Sequence, residues 1–307
     1  MTGAQSAYFA GILVIMGAGW GLSQPLTKIA VSTGYGHFGL VFWQLVIGVA
    51  LMALVCAATR ARLVITPATL RLFLVVALTG TVFPNTLSYQ AAVHLPAGIM
   101  SLLLSSIPMM AFAIALLMGN DTFALRRLMG LIAGLVGVLM IVAPNVDLGQ
   151  PIPVFWALVY LVTALFYAFE GNYVARYGTQ GLGPFQVMLG ASLVGLALIT
   201  PLMIWTGQYI VPSTALPAPQ VAHVIASVSH VLVYATYVWM VGQAGAVFTA
   251  QVSYLVTGFG LLWAWLILSE SYAPTLWLAL AAMFLGMYLV QPRPRSAAAE
   301  PTAEGTL

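Results

Sequence analysis

One carboxylate stands inside a long apolar run: Glu170, in Leu165-Phe166-Tyr167-Ala168-Phe169-Glu170-Gly171-Asn172. An ionised carboxylate at the middle of a bilayer costs at least about 2.5 kcal/mol. Such a group is retained where it takes up a proton, meets a cation or faces a wet cavity. The chemistry it offers is proton coupling or recognition of a cationic group. The structural alternative is a paired acid, because Arg176 follows six residues on, about 9 Å along a helix at the usual rise.

Other polar residues recur at helical spacing. Trp20, Gln24 and Lys28 are four apart and share one stripe, with Pro25 interrupting the helix and freeing a carbonyl. Asn85 and Tyr89 share a face just after Pro84. Tyr234 and Tyr237 lie in a later apolar run, Gln251 and Tyr254 are one turn apart, and Ser101 and Ser105 lie in the run that begins near Leu95. Polar groups in lipid need partners, so the economical arrangement turns them toward a shared interior. The expected solute or ion pathway is Trp20, Gln24, Asn85, Tyr89, Ser105, Glu170, Tyr234, Tyr237, Gln251 and Tyr254. The competing reading is interhelical hydrogen bonding with no solute. Lys28 is expected to snorkel to the interface. His94 and His223 read as loop or helix-end residues, and His230 as a weaker interior candidate. Asp121 and Glu270 precede apolar runs and are expected to cap the helices that follow them.

The elements that must position these residues follow from composition. The chain of 307 residues is 62% hydrophobic and 5% charged, with a mean hydropathy of +1.03. Soluble domains carry about 25% charged residues, so lipid must solvate most of this one. Nine basic residues scattered along the chain form no nucleic-acid patch. Cys56 is alone and offers neither a disulfide nor a zinc site. The six acidic residues are dispersed, and no H-E-x-x-H, G-x-S-x-G or P-loop pattern occurs. An enzyme is therefore not expected, and neither is a cofactor or a metal. The first apolar run lacks a cleavage site and reads as a retained helix.

About 20 apolar residues of helix cross a bilayer core. Ten such runs are expected, at roughly 7–30, 37–58, 68–91, 96–118, 127–143, 153–175, 184–206, 219–241, 246–268 and 273–290. With the N-terminus inside, eight of the nine basic residues fall on the inner side: Arg60, Arg62, Arg71, Arg126, Arg127, Arg176, Arg293 and Arg295. Only Lys28 falls on the outer side. The expected placement is a multi-pass protein of the cell membrane with both termini cytoplasmic.

An internal repeat organises these runs. Asp121-Thr122-Phe123-Ala124 returns 149 residues later as Glu270-Ser271-Tyr272-Ala273. The same offset carries Ala115 to Ala264, Ala133 to Ala282 and Gly137 to Gly286. Five spans per unit is an odd number, so the second unit must enter the membrane inverted. The expected fold is all-α, ten transmembrane helices as two inverted five-helix repeats, at 1–147 and 148–290, with a disordered tail at 291–307. Small residues at Gly130, Gly134 and Gly137, at Ala279, Ala282 and Gly286, and at Ala191 and Gly195 permit close helix packing. Packing within the chain is preferred for them, and a homodimer is the other use.

The pattern of Pro108, Asp121, Gly130 and Gly137, with Trp20-Gly21 through Lys28 in the first run, resembles the EamA-type transporters of the drug/metabolite transporter superfamily. In the second unit Glu270 and Gly286 match, while Thr257 stands for the proline and Ala279 for the first glycine. Asn120 intervenes before the first acid. The resemblance covers roughly residues 8 to 290. It implies a ten-helix bundle that moves small organic metabolites, often as an exporter of amino acids or their relatives. The function expected is secondary-active transport of an amphipathic solute, export before uptake, with proton coupling as an option. The other class is a non-transporting receptor or scaffold.

Overall fold

A computed structural model describes residues 3–143, 152–244, 246–249 and 251–290. Residues 291–307 with Arg293 and Arg295, expected to be a disordered tail, and residues 144–151, including Pro144 and Asn145, lie outside the described residues.

The described residues are all-α. We number ten helices by span. They are α1 (Gly3–Gly21 and Ser23–Ala30), α2 (His37–Ala58), α3 (Pro67–Ala77, Leu78–Val82 and Phe83–His94), α4 (Ala97–Leu104 and Ile107–Met118) and α5 (Leu125–Val142). Then come α6 (Val154–Tyr177), α7 (Pro184–Thr206), α8 (Ala218–Ala244), α9 (Ala246–Thr249 and Val252–Leu268) and α10 (Pro274–Val290). Eight are long and apolar enough to cross a membrane, and the last pieces of α9 and α10 are shorter apolar helices of 17 residues each.

Three of the breaks have one cause. Proline lacks an N–H, and its ring crowds the carbonyl four residues back. Pro25 answers to the break at Leu22, Pro84 to the π-turn Leu78–Val82, and Pro108 to the turn at Ser105 and Ser106. At the last of these, the hydroxyls of Ser105 and Ser106 donate to the carbonyls of Leu102 (2.7 Å) and Leu103 (2.6 Å).

The bundle is apolar outside as well as inside. On α5, Met129, Ile132, Leu135, Val136 and Leu139 face outward, and on α6 Phe155, Leu158, Val162, Leu165 and Phe169 do so. Exposed apolar faces of this extent suit lipid, not water. The opposite face of α5 carries Gly130, Gly134 and Gly137, which pack on α10. A Cβ on Gly130 would lie 2.8 Å from the carbonyl oxygen of Gly286, and one on Gly286 would lie 2.8 Å from that of Gly130. These small-residue faces are therefore occupied within the chain. Gly21 of α1 likewise approaches Gly260 of α9, where an added Cβ would stand 2.9 Å from the Gly260 nitrogen.

The main packing pairs have a regular form. α1 packs on α8 and α9, and α6 packs on α3 and α4. α2 packs on α7 and α8, and α7 on α2 and α3. α4 packs on α9, and α5 on α10. Replacing each helix by the one five places along returns the same set, as a duplicated unit requires.

The six described arginines gather at one end. Arg71 and Arg176 lie against the Tyr177 ring, at 5.8 and 5.9 Å from its centroid. Arg176 also donates to the Met118 carbonyl at the end of α4. The Arg62 carbonyl accepts from Gln186 at the start of α7 (2.5 Å), and Arg126 donates to the Tyr288 carbonyl near the end of α10 (3.1 Å). Lys28 sits at the other end, but it does not snorkel outward. Its Nζ donates to the carbonyls of Ala92 (2.8 Å) and Val93 (3.1 Å), where α3 finishes with unpaired acceptors.

Asp121 and Glu270 do not cap the helices that follow them. The cap of α5 is Ala124, which makes no side-chain bond. Asp121 instead pairs with Arg127, and Glu270 bonds the amides of Ala97 and Gly98 at the start of α4. In each case the turn between acid and helix is too long for the carboxylate to reach its own first amides.

Candidate functional site

The polar interior is built around an amide on α2. The Oε1 of Gln44 accepts the Tyr89 hydroxyl at 2.9 Å and the Asn85 side-chain amide at 3.0 Å. Asn85 and Tyr89 are one turn apart on α3, which lets one oxygen take both. The Oδ1 of Asn85 in turn accepts the Tyr167 hydroxyl from α6 at 3.0 Å. A second bridge lies beside the first, where the Tyr160 hydroxyl of α6 donates to Oε1 of Gln24 on α1 at 2.8 Å. Tyr160, Tyr167 and Glu170 fall on one face of α6, so that helix supplies both phenols and the acid.

Glu170 lies against the π-turn of α3. A Cβ on Gly80 would come within 2.7 Å of its carboxylate carbon and both oxygens. Glycine at position 80 is what lets the carboxylate approach that backbone. Among the described residues Glu170 has no hydrogen-bond or ion-pair partner, and the phenols of Tyr167 and Tyr234 are within range of its charge. Arg176, the partner offered by spacing alone, turns to the end of α4 instead.

A cavity of about 30 Å³ lies between α2, α3, α7 and α8, with Gln44, Thr81, Ser192, Ser227, His230 and Tyr234 among its lining. That is room for a water or two. The aromatic wall beside it is Trp20, His230, Tyr234 and Tyr237. Trp20 stands 5.6 Å from Tyr237 and 6.2 Å from His230, and His230 stacks on Tyr234 at 6.5 Å, between ring centroids. Toward the end that bears Lys28, a larger and mainly apolar cavity of about 210 Å³ opens between α2 and α8, bordered by Tyr35, Trp43, Gln220 and His223.

Several buried polar atoms in this region lack a partner: Trp20 Nε1, Ser23 Oγ beside Gln24, Thr86 Oγ1 beside Asn85, and His223 Nε2. The His223 ring stands edge-on to Tyr89 at 5.9 Å. These are four of the five such atoms among the described residues, the fifth being Tyr254 Oη. Each buried polar atom left unpaired costs about 1–3 kcal/mol. Two of them face this interior: Trp20 Nε1 belongs to the aromatic wall and His223 borders the larger cavity, where water or a solute completes the bonding.

Seven of the ten expected pathway residues meet here: Trp20, Gln24, Asn85, Tyr89, Glu170, Tyr234 and Tyr237. Three do not. Ser105 is buried, bonds its own helix and approaches the Met283 sulfur of α10 at 3.5 Å. Gln251 is exposed at the break between the two pieces of α9. Tyr254 packs edge-on to Phe284 of α10, 5.4 Å between centroids. The residues that spacing did not single out are Gln44, Tyr160, Thr81 and Ser192. The available signal for Tyr160 was its place on the Tyr167–Glu170 face, and for Gln44 its being the one amide within an otherwise apolar span.

Comparison with known proteins bears on the fold and the family. Residues 8–143 match the EamA-like transporter family. No curated protein matches the chain. A solved crystal structure, described only as that of a protein, aligns with a TM-score of 0.59 at 16% identity over 94% of this chain and 96% of its own. That likeness is one of fold. The matched stretch contains Trp20, Pro108, Asp121, Gly130 and Gly137, the residues that carried the resemblance in the sequence. Residues 8–143 are thus an EamA-like transporter domain of the drug/metabolite transporter superfamily, in a chain built of membrane-spanning helices.

Proposed function

We propose that the protein is a secondary-active carrier of a small amphipathic organic solute, amino-acid-like in size, with export as its direction. Two inverted five-helix units, 1–147 and 148–290, alternate access to a central site. The observation that supports this most is the cluster of unpartnered buried polar atoms around the Gln44–Asn85–Tyr167 chain. A scaffold has no use for unpaired polar atoms in its interior, whereas a carrier lends them to its cargo. The aromatic wall of Trp20, Tyr234 and Tyr237 suits the apolar part of such a solute. Glu170 is the candidate for proton coupling or for a cationic group. The chain resides in the cell membrane with its arginine-rich end in the cytoplasm.

The test is counterflow in proteoliposomes with a panel of metabolites. Accumulation of at least one solute against an empty-vesicle control is expected. Absence of flux for every class in the panel, with correctly folded protein, would sink the carrier reading.

A further inference from the structure

The turn that joins α9 to α10 contains Glu270 and Tyr272. Oε1 of Glu270 accepts the Ala97 amide at 2.6 Å, and Oε2 accepts the Gly98 amide at 3.0 Å. These are the first amides of α4, orphan donors at the positive end of a helix. The Tyr272 hydroxyl donates to the same carboxylate at 3.0 Å. Its ring lies so close to Gly98 that an added Cβ would come within 2.6 Å of the phenol carbon Cζ. Burial, and then the charge of Glu270, push the Tyr272 hydroxyl up, which keeps it a donor. Lys28, bonded to the last carbonyls of α3, stands within range of the same carboxylate. One acid from the second unit thus pins the start of a helix in the first.

The offset of 149 residues carries Glu270 back to Asp121, and carries Ala97 and Gly98 forward to Ala246 and Val247, which begin α9. Exchange of the two units would turn the Glu270–α4 contact into an Asp121–α9 contact. Among the described residues Asp121 is bonded elsewhere. Asp121 accepts the neighbouring Thr122 amide at 2.8 Å and pairs with Arg127. A crevice of about 270 Å³ opens there, with Asp121, Arg127, Asn172 and Ser253 on its walls.

We propose that Glu270 and Asp121 are alternate clasps. Glu270 on the start of α4 holds the Lys28-bearing end closed on the α4–α9 side. Asp121, once released from Arg127, takes the start of α9 and closes the arginine-bearing end. The two clasps are made in turn as the carrier cycles. This rests on the alternating-access reading.

Hydrogen-exchange mass spectrometry of the full chain in lipid nanodiscs tests it. In Glu270→Ala, exchange is expected to rise about fivefold or more across 95–101 and to fall across 246–254, as one coupled equilibrium requires. In Asp121→Ala the two signs reverse. Increased exchange at 95–101 with 246–254 unchanged would reduce Glu270 to a local cap and overturn the proposal. If Glu270→Ala loosens the whole bundle, Glu270→Gln decides. It keeps one acceptor oxygen and must show smaller shifts of opposite sign at the two ends; shifts of one sign overturn the clasps. Counterflow on the unaltered protein separates the readings: flux there without reciprocal exchange in the variants discards the clasps alone, and reciprocal exchange in the variants without flux in the unaltered protein discards the carrier.

Discussion

Gln44 holds α3 to α2 through a single oxygen that takes two donors, so its loss strands both. Gln44→Leu is expected to cost about 1–3 kcal/mol, since a stranded donor costs more than its bond contributed. The unfolding midpoint in detergent should fall accordingly, and Asn85→Ala, which strands the Tyr167 hydroxyl alone, should cost less. Glu170→Gln is a different kind of change, because no protein partner is lost. We expect stability to hold and gradient-driven transport to lose its pH dependence, read in proteoliposomes across the neutral range. Unchanged rate and pH response would remove Glu170 from coupling. Asn85 and Tyr89 were legible in the sequence because a four-residue step puts two side chains on one face. Gln251 and Tyr254 satisfy a similar rule and lie away from this cluster. Spacing tells which residues share a face, not where the face points. The contact of Gly260 with Gly21 sets the rotation of α9, and it turns Tyr254 toward Phe284.

At the scale of elements, the prolines were legible as interruptions but the form of each interruption was not. A missing N–H at Pro84 is answered by a π-turn, and that turn presents Gly80 to the acid of α6. Pro84→Ala restores the donor and favours regular helix through Leu78–Val82, which shifts Gly80 off Glu170. Transport should drop at least about tenfold, the equivalent of roughly 1.4 kcal/mol in a barrier, while the unfolding midpoint stays or rises. At the α5–α10 contact the neighbours are backbone atoms that have no rotamer to change. Gly286→Val is therefore expected to destabilise by about 1–3 kcal/mol, as overpacking does, and a thermal melt measures it. The acids at 121 and 270 show why helix caps cannot be assigned from order along the chain alone. Glu270 satisfies amides that lie 173 and 172 residues away in sequence.

The whole molecule was the most legible level, because lipid imposes a length on every span and charge bias orders the loops. Ten spans place the loops bearing Arg62 and Arg126 on one side and Ser32 on the other. Cysteines at these three positions, in a Cys56→Ser background, should react with an impermeant maleimide as a pair against one. Labelling of Ser32→Cys from the same side as the other two would contradict ten spans. The network of pairings was not legible in this way, since no local pattern names a helix's neighbour.

Those pairings have a further consequence. Every principal contact joins a helix of the first five to a helix of the last five. Without the last five helices, the first five leave those faces uncovered. While the ribosome extends the second half, roughly ten to thirty seconds at ordinary elongation speeds, five inserted helices wait in the bilayer with their binding faces bare. A chain that stops after α5 is therefore expected to be cleared faster than the full chain, as a pulse-chase of both would show.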